Sequence, residues 1–150
     1  MYINENDKQG NQHINKGEAG ERLFQEWCID NNIPFKKATN EQDYKLKVDY
    51  FIEIDGVTRA VDVKNNYSEK YDTFVVETEQ LEEGKPDAWL NHTWIDYIAF
   101  ILKRRILLIS MEKLRKIKYY KYRHLDRIQW PSKGTPRIVF IPRTIMEALV

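Results

Sequence analysis

The spacing of apolar and polar positions changes several times along this chain, and each change marks an element. In "KGEAGERLFQEWCIDNN", Leu23, Phe24, Trp27 and Cys28 recur at steps of three and four, one face of a helix ended by Asn31, Asn32 and Pro34. A polar connection, "FKKATNEQDY", precedes "LKVDYFIEI", where Leu46, Val48, Tyr50, Ile52 and Ile54 share one parity and predict a strand. Asp55-Gly56 is a hairpin signal, and "TRAVDVKN" is the returning strand. "YDTFVVETEQ" predicts a third strand and "EEGKPDAWLNH" a loop. "WIDYIAFIL" and "ILLISM" are two further strands about "KRR", "MEKLRKIKYYKYRHL" is a helix or a basic loop, and "RIVFIPRTIMEALV" is a short strand with a terminal helical turn. Residues 1–14 are polar and aperiodic, the pattern of a flexible arm. Together these elements predict an α/β fold with a central mixed sheet, a single domain over residues 15–150.

Composition adds a core and little else: 42% of the 150 residues are apolar and 13% aromatic, enough for one globular domain. The runs "YIAFIL" and "ILLIS" are parted by "KRR", well short of the roughly 20 residues that span a bilayer. No export pattern opens the chain, so the expectation is a soluble, cytoplasmic protein. Cys28 is the sole cysteine, which excludes an internal disulfide and a multi-cysteine zinc site; its place in the helix stripe makes it a core residue. The net charge of +1 conceals a strong division. Residues 41–96 hold 6 Lys/Arg against 14 Asp/Glu, and residues 97–150 hold 13 against 3. That division suits a protein that gathers cations in one place and a polyanion in another; two oppositely charged solvated faces explain it equally well.

An acid, any residue and a lysine occur together three times, at Asp43, Asp62 and Glu83. Only Asp62 and Lys64 fall in a Val-rich strand, where a spacing of two projects both from one face. Such a pair is either a structural ion pair or the holder of a shared ligand, and buried charge rarely improves stability over apolar packing. The hairpin turn sets Asp49 alongside Asp62, within reach of one divalent cation. Two carboxylates, the Val63 carbonyl and waters form an all-oxygen set suited to Mg²⁺ or Mn²⁺. With a metal polarising a phosphate and acidifying a bound water, Lys64 would orient that water or offset developing charge, giving phosphodiester hydrolysis without a covalent intermediate. The alternative is that both aspartates only end strands or face solvent.

Asp49, Asp62 and Lys64 resemble the motif of the PD-(D/E)xK nucleases, whose restriction-endonuclease-like core is a helix followed by a hairpin and a mixed sheet. Val48 stands where the motif's name has proline. "KGEAGER", Lys16 to Arg22, resembles the start of archaeal-type Holliday junction resolvases, whose glutamate joins the metal site; that position is Glu21 here. Glu18 competes with it one turn earlier and is placed to pair with Arg22. Glu77, in the third strand, falls where many relatives place a further polar active-site residue. The resemblance covers roughly residues 16–80 and implies a Mg²⁺-dependent deoxyribonuclease of recombination, repair or restriction, working as a homodimer. The rival is a nuclease-like fold that only binds nucleic acid or a protein partner.

Substrate binding has its own candidates. Between Lys113 and Arg127 seven Lys/Arg alternate with tyrosines, a mixture that neutralises phosphates and stacks on bases. Lys113, Arg115, Lys116, Lys118, Tyr120, Lys121 and Arg123 are the expected contacts, with Lys16 on the first helix either a phosphate contact or a solvated cation. A basic amphipathic surface helix with Leu114 and Ile117 inward is the alternative. Nothing resembles a sequence-reading module, so DNA would be recognised by its shape or ends. The histidines lack ligand spacing, and Trp27, Trp89, Trp94 and Trp130 read as core or rim aromatics.

Overall fold

Phe24 and Cys28, both fully buried, fasten the first helix to the protein, and the helical spacing of its apolar residues is realised as expected. The computed structural model describes residues 5–103, 105–127 and 133–150, with side chains described from Gly17 onward. Helix α1 spans Glu5–Asp30, so it begins well before Lys16 and takes in residues 5–14, expected as an arm. That stretch holds no proline, and its Glu, Lys and Gln sit in helical backbone at little cost, so the helix extends beyond its buried face. Trp130 lies outside the described residues.

The chain continues through β1 (Phe35–Lys37), α2 (Asn40–Leu46), β2 (Tyr50–Ile54), β3 (Val57–Lys64), β4 (Tyr67–Ser68) and β5 (Thr73–Gln80). It ends with β6 (Tyr97–Leu102), β7 (Arg105–Ser110), α3 (Met111–Arg115), β8 (His124–Asp126), β9 (Pro136–Pro142) and α4 (Arg143–Glu147). A mixed sheet runs in the order β1-β2-β3-β6-β7. Strands β2 and β3 are antiparallel through the Asp55-Gly56 turn, where both residues have positive φ, 51° and 75°, as a two-residue hairpin requires. Strand β6 then joins β3 in parallel and β7 returns antiparallel. A helix, a hairpin and a mixed sheet thus follow in the predicted order.

Two segments differ from expectation. "FKKATNEQDY" carries β1 and α2: the Thr39 hydroxyl accepts the Gln42 N–H at 3.2 Å while the Gln42 side chain accepts the Thr39 N–H at 2.9 Å, a reciprocal cap. Helix α2 absorbs Leu46, so the strand expected from that residue begins at Tyr50. The third strand, β5, leaves the mixed sheet for an antiparallel one, β4-β5-β9-β8. Its buried Phe74 and Val76 pack with Ile98, Phe100, Leu107, Ile109, Val139 and Ile141 in a core between the two sheets. Tyr50, Ile52, Val61, Ala99 and Ile101 form the other core, under α1. The mixed sheet is therefore central, with a helix on one face and the antiparallel sheet on the other. No helix among the described residues is long and apolar enough to cross a membrane.

Candidate active site

Alternation along β3 decides what meets what. Val61 and Val63 join the core under α1, so Asp62 and Lys64 point the opposite way, toward the second sheet. Asp62 is 3% exposed, an unusual position for a carboxylate. Lys64 Nζ lies 3.1 Å from its Oδ2 as an ion pair, but the contact is off hydrogen-bonding alignment and leaves that buried oxygen without a hydrogen bond. The ammonium also sits 5.7 Å from the centroid of the Trp89 ring. Burial is the largest single influence on Lys64 and pulls its pKa down; Asp62, Glu77 and Asp49 together outweigh it and hold the group above its ordinary value. Lys64 is a fixed cation.

Asp49 stands just before β2. Its N–H donates to the Val61 carbonyl at 2.9 Å and its carbonyl accepts the Ala38 N–H at 2.9 Å, so the backbone has no freedom to swing away. Its Oδ2 accepts the Val63 N–H at 2.7 Å. Burial, and after it the neighbouring Asp62 charge, push the Asp49 pKa up to about 8, and a proton on Asp49 is stabilised by hydrogen bonding to Asp62. The hairpin thus brings Asp49, Asp62 and Lys64 together, with the Val63 peptide between the two acids.

Glu21 and Asp49 line one cavity of 310 Å³ together with Gly17, Glu18, Gly20, Val63 and Asn65. Glu21 pairs with Lys37 at 3.4 Å, and its competitor Glu18 faces the same space. Glu77 is not on that side. It lines a second cavity, of 510 Å³, with Asp62 and Lys64, beside a bulge between Glu77 and Glu79. Strand β3 therefore divides the acids between two cavities. Cys28 is fully buried and its thiol is pushed up to about 11 by burial, which leaves it inert at neutral pH, as a core residue should be.

Among the described residues no three His, Cys, Asp or Glu side chains are grouped closely enough to hold an ion alone. What the hairpin offers is two adjoining carboxylates, one with an unsatisfied buried oxygen. Mg²⁺ commonly takes one or two carboxylates and keeps several waters, so this donor set fits it.

The sequence matches no family model and no curated protein. Among solved structures, the chain is similar to a bacterial homing endonuclease, I-Ssp6803I, at a TM-score of 0.48 and 15% identity, over 68% of this chain and 67% of that one.

The basic segment, expected as a helix or a basic loop, folds as α3, a 3-10 turn at Tyr119–Lys121 and β8, and several of its cations already have partners. Arg115 Nε and Nη2 each donate at 2.9 Å, to the carbonyls of Leu90 and His92. Lys113 reaches the Leu149 carbonyl at 3.3 Å, Lys116 pairs with Glu112 at 3.4 Å, and Arg123 lies 4.3 Å from the Phe140 ring centroid. Lys118, Tyr120 and Lys121 are exposed, Tyr120 at 80%. None of these residues lines either acid-bearing cavity. The Lys16 side chain lies outside the described residues. Besides Lys64, the lysines that line the larger cavity are Lys45, Lys47 and Lys133, beside Trp89, His92 and Trp94. Sequence reading singled out none of these lysines and took the tryptophans as core or rim aromatics; the clustering of two tryptophans and a histidine in "WLNHTW" was the signal available.

Proposed function

We propose that this protein is a metal-dependent endonuclease that hydrolyses DNA phosphodiester bonds, in the manner implied by its resemblance to PD-(D/E)xK nucleases. The observation that carries the reading is the placing of Asp49, Asp62 and Lys64 together by one hairpin, with a buried carboxylate oxygen left unsatisfied. Asp49 and Asp62, with the Val63 carbonyl, would hold Mg²⁺ or Mn²⁺ where the two carboxylates adjoin, and Glu21 and Glu18 line the cavity on the Asp49 side alone. The bound ion supplies Lewis acidity toward a phosphate oxygen and acidifies a water. Lys64, kept protonated by its acidic neighbours, offsets the negative charge that grows on phosphorus and aligns the attacking water. Water displaces the 3′ or 5′ oxygen of the strand, and no covalent enzyme intermediate forms. The resemblance of "KGEAGER", which lies within α1, to junction resolvases favours branched DNA, four-way junctions first, with a homodimer presenting two such sites.

A panel of four-way junction, flap, nicked duplex, linear duplex and single strand tests this. Wild-type protein should cleave at least one member with Mg²⁺ or Mn²⁺, and Asp62→Asn should reduce the rate by a factor of 100 or more, on the order of other losses of a catalytic charge. Cleavage that persists in Asp62→Asn sinks the assignment. One observation favours a second reading, a nuclease-like fold that only binds: the described residues contain no three-residue ligand group. Under that reading Mg²⁺ and Mn²⁺ leave the melting temperature unmoved and no substrate is cut.

A further inference from the structure

The 510 Å³ cavity holds more than the active-site hairpin explains. Its size falls within the roughly 300–1,000 Å³ of ordinary ligand pockets. His92 and Trp94 stack in its wall with ring centroids 4.8 Å apart at 14°. Trp94 is 45% exposed, yet its indole N–H donates to the Leu46 carbonyl, so a large aromatic surface is both fixed and uncovered. Trp89, only 4% exposed, lines the same cavity with its indole N–H unpartnered. His92 Nδ1, on another lining residue, is likewise buried without a hydrogen bond, and Asp62 Oδ2 has only its ion pair with Lys64, at 3.1 Å. Buried polar groups are normally paired, and two orphans in the wall of one cavity point to a ligand that brings polar groups of its own.

The charges are arranged to match. Asp62, Glu77 and Asp87 make one part of the lining acidic, whereas Lys45, Lys47 and Lys133 give it exposed cations. Lys133 is held in place by the Gln80 side chain, which donates to the Lys133 carbonyl at 3.0 Å and to the Pro86 carbonyl at 2.9 Å. Lys47 occupies the left-handed region, φ 56°, at the C-terminus of α2, where glycine would be the unstrained choice. Its ammonium lies 5.4 Å from the Tyr44 ring centroid, at the exposed rim of the cavity.

We propose that this cavity seats one unpaired nucleotide of the DNA strand presented to Asp62 and Lys64, with its base stacked on Trp94 and its phosphates held by Lys45, Lys47 and Lys133. Bases within a duplex have both faces covered by their neighbours, so a single exposed ring selects a base that is already unpaired or easily splayed. The cations neutralise phosphates away from the acids, which are left for the ion. The inference rests on the nuclease reading for the identity of its ligand, but not on catalysis.

The test is binding in EDTA, where cleavage plays no part. Fluorescence anisotropy compares a fully paired duplex with one carrying a short unpaired segment, and 2-aminopurine in that segment reports stacking. Wild-type protein should prefer the unpaired segment by about tenfold, within the range of one base stacked on an aromatic ring, and should quench the 2-aminopurine. Trp94→Ala should lose both preference and quenching, while Trp94→Phe, which keeps a ring, retains most of each. Lys133→Gln, at an exposed position, should weaken binding to both DNAs at an unchanged melting temperature. Lys47→Gly should weaken binding and raise the melting temperature together, a combination that a structural lysine would not produce. Equal affinity for the two DNAs, or quenching that survives Trp94→Ala, overturns the inference. Loss of cleavage in Asp62→Asn is scored separately, so failure of the nuclease reading with this binding pattern intact leaves the nucleotide site standing.

Discussion

Asp49 shows how far a side chain's chemistry departs from what its letter implies. The sequence marks Asp49 as a candidate ligand and says nothing of its proton, but burial and the adjoining Asp62 push its pKa up to about 8. The sign of the consequence follows from proton counting. Between about pH 4 and pH 8 the folded metal-free protein holds a proton on Asp49 that the unfolded chain has lost, so stability should fall as pH rises through that window. Urea unfolding in EDTA at a series of pH values measures the slope. Asp49→Asn, which keeps an oxygen to accept the Val63 N–H, should flatten it and exceed wild type in stability at pH 8; an unchanged slope would assign the proton elsewhere. Asp62 and Lys64 were legible because strand parity alone puts them on one face. Lys47 and Trp94 were not, since one depends on a left-handed helix end and the other on a hydrogen bond to the Leu46 carbonyl, far away in sequence.

At the level of elements, α1 carries Glu21 and Glu18 to the mixed sheet, and its own packing sets how closely they approach. Gly20 is buried on the sheet side, where an added Cβ would lie 3.5 Å from Ile101 Cγ1 and 3.8 Å from Asn65 Nδ2, ordinary contacts. Gly20→Ala should therefore raise stability by about 0.5–1 kcal/mol, the usual gain from removing a helix-interior glycine, as read by urea unfolding. Phe24→Ala should instead cost about 3–5 kcal/mol, because Phe24 packs against Tyr50 with centroids 5.0 Å apart and its loss leaves a void under the helix. Where that variant is still folded, the proposed cleavage activity should drop too, since Glu21 lies on the adjoining turn. A stabilised Phe24→Ala would contradict the packing. The helix and hairpin could be read from periodicity and turn chemistry. That β5 joins β9 in a second sheet could not: alternation identifies a strand and its buried face, whereas sheet membership depends on pairings 60 or so residues apart, such as Val76 with Val139.

Across the whole molecule, the division of charge seen in the sequence is only partly available for binding a polyanion. Of the 13 cations in residues 97–150, Arg105 reaches Glu147, Arg137 reaches Asp126 and Glu79, and Arg143 reaches Asp72 and Glu147. Arg115 is committed to two backbone carbonyls. Composition counts these as a basic face, but much of it is internal bracing between strands and helix ends. Lys118 and Lys121 are exposed and have no ion-pair partner among the described residues, so under the proposed function the basic segment's contribution to DNA binding falls largely on them. Each phosphate neutralised on a duplex steepens the dependence of log K on log salt by about 0.9. Replacing both lysines by glutamine should therefore make that slope shallower by about 2 in an EDTA titration, while weakening all DNA shapes alike. Arg115→Lys should do the reverse, since a lysine cannot span the carbonyls of Leu90 and His92: the melting temperature falls and the slope stays put. A double lysine variant with the wild-type slope would remove the segment from the proposed interface and leave the phosphate contacts to Lys45, Lys47 and Lys133 at the proposed nucleotide cavity.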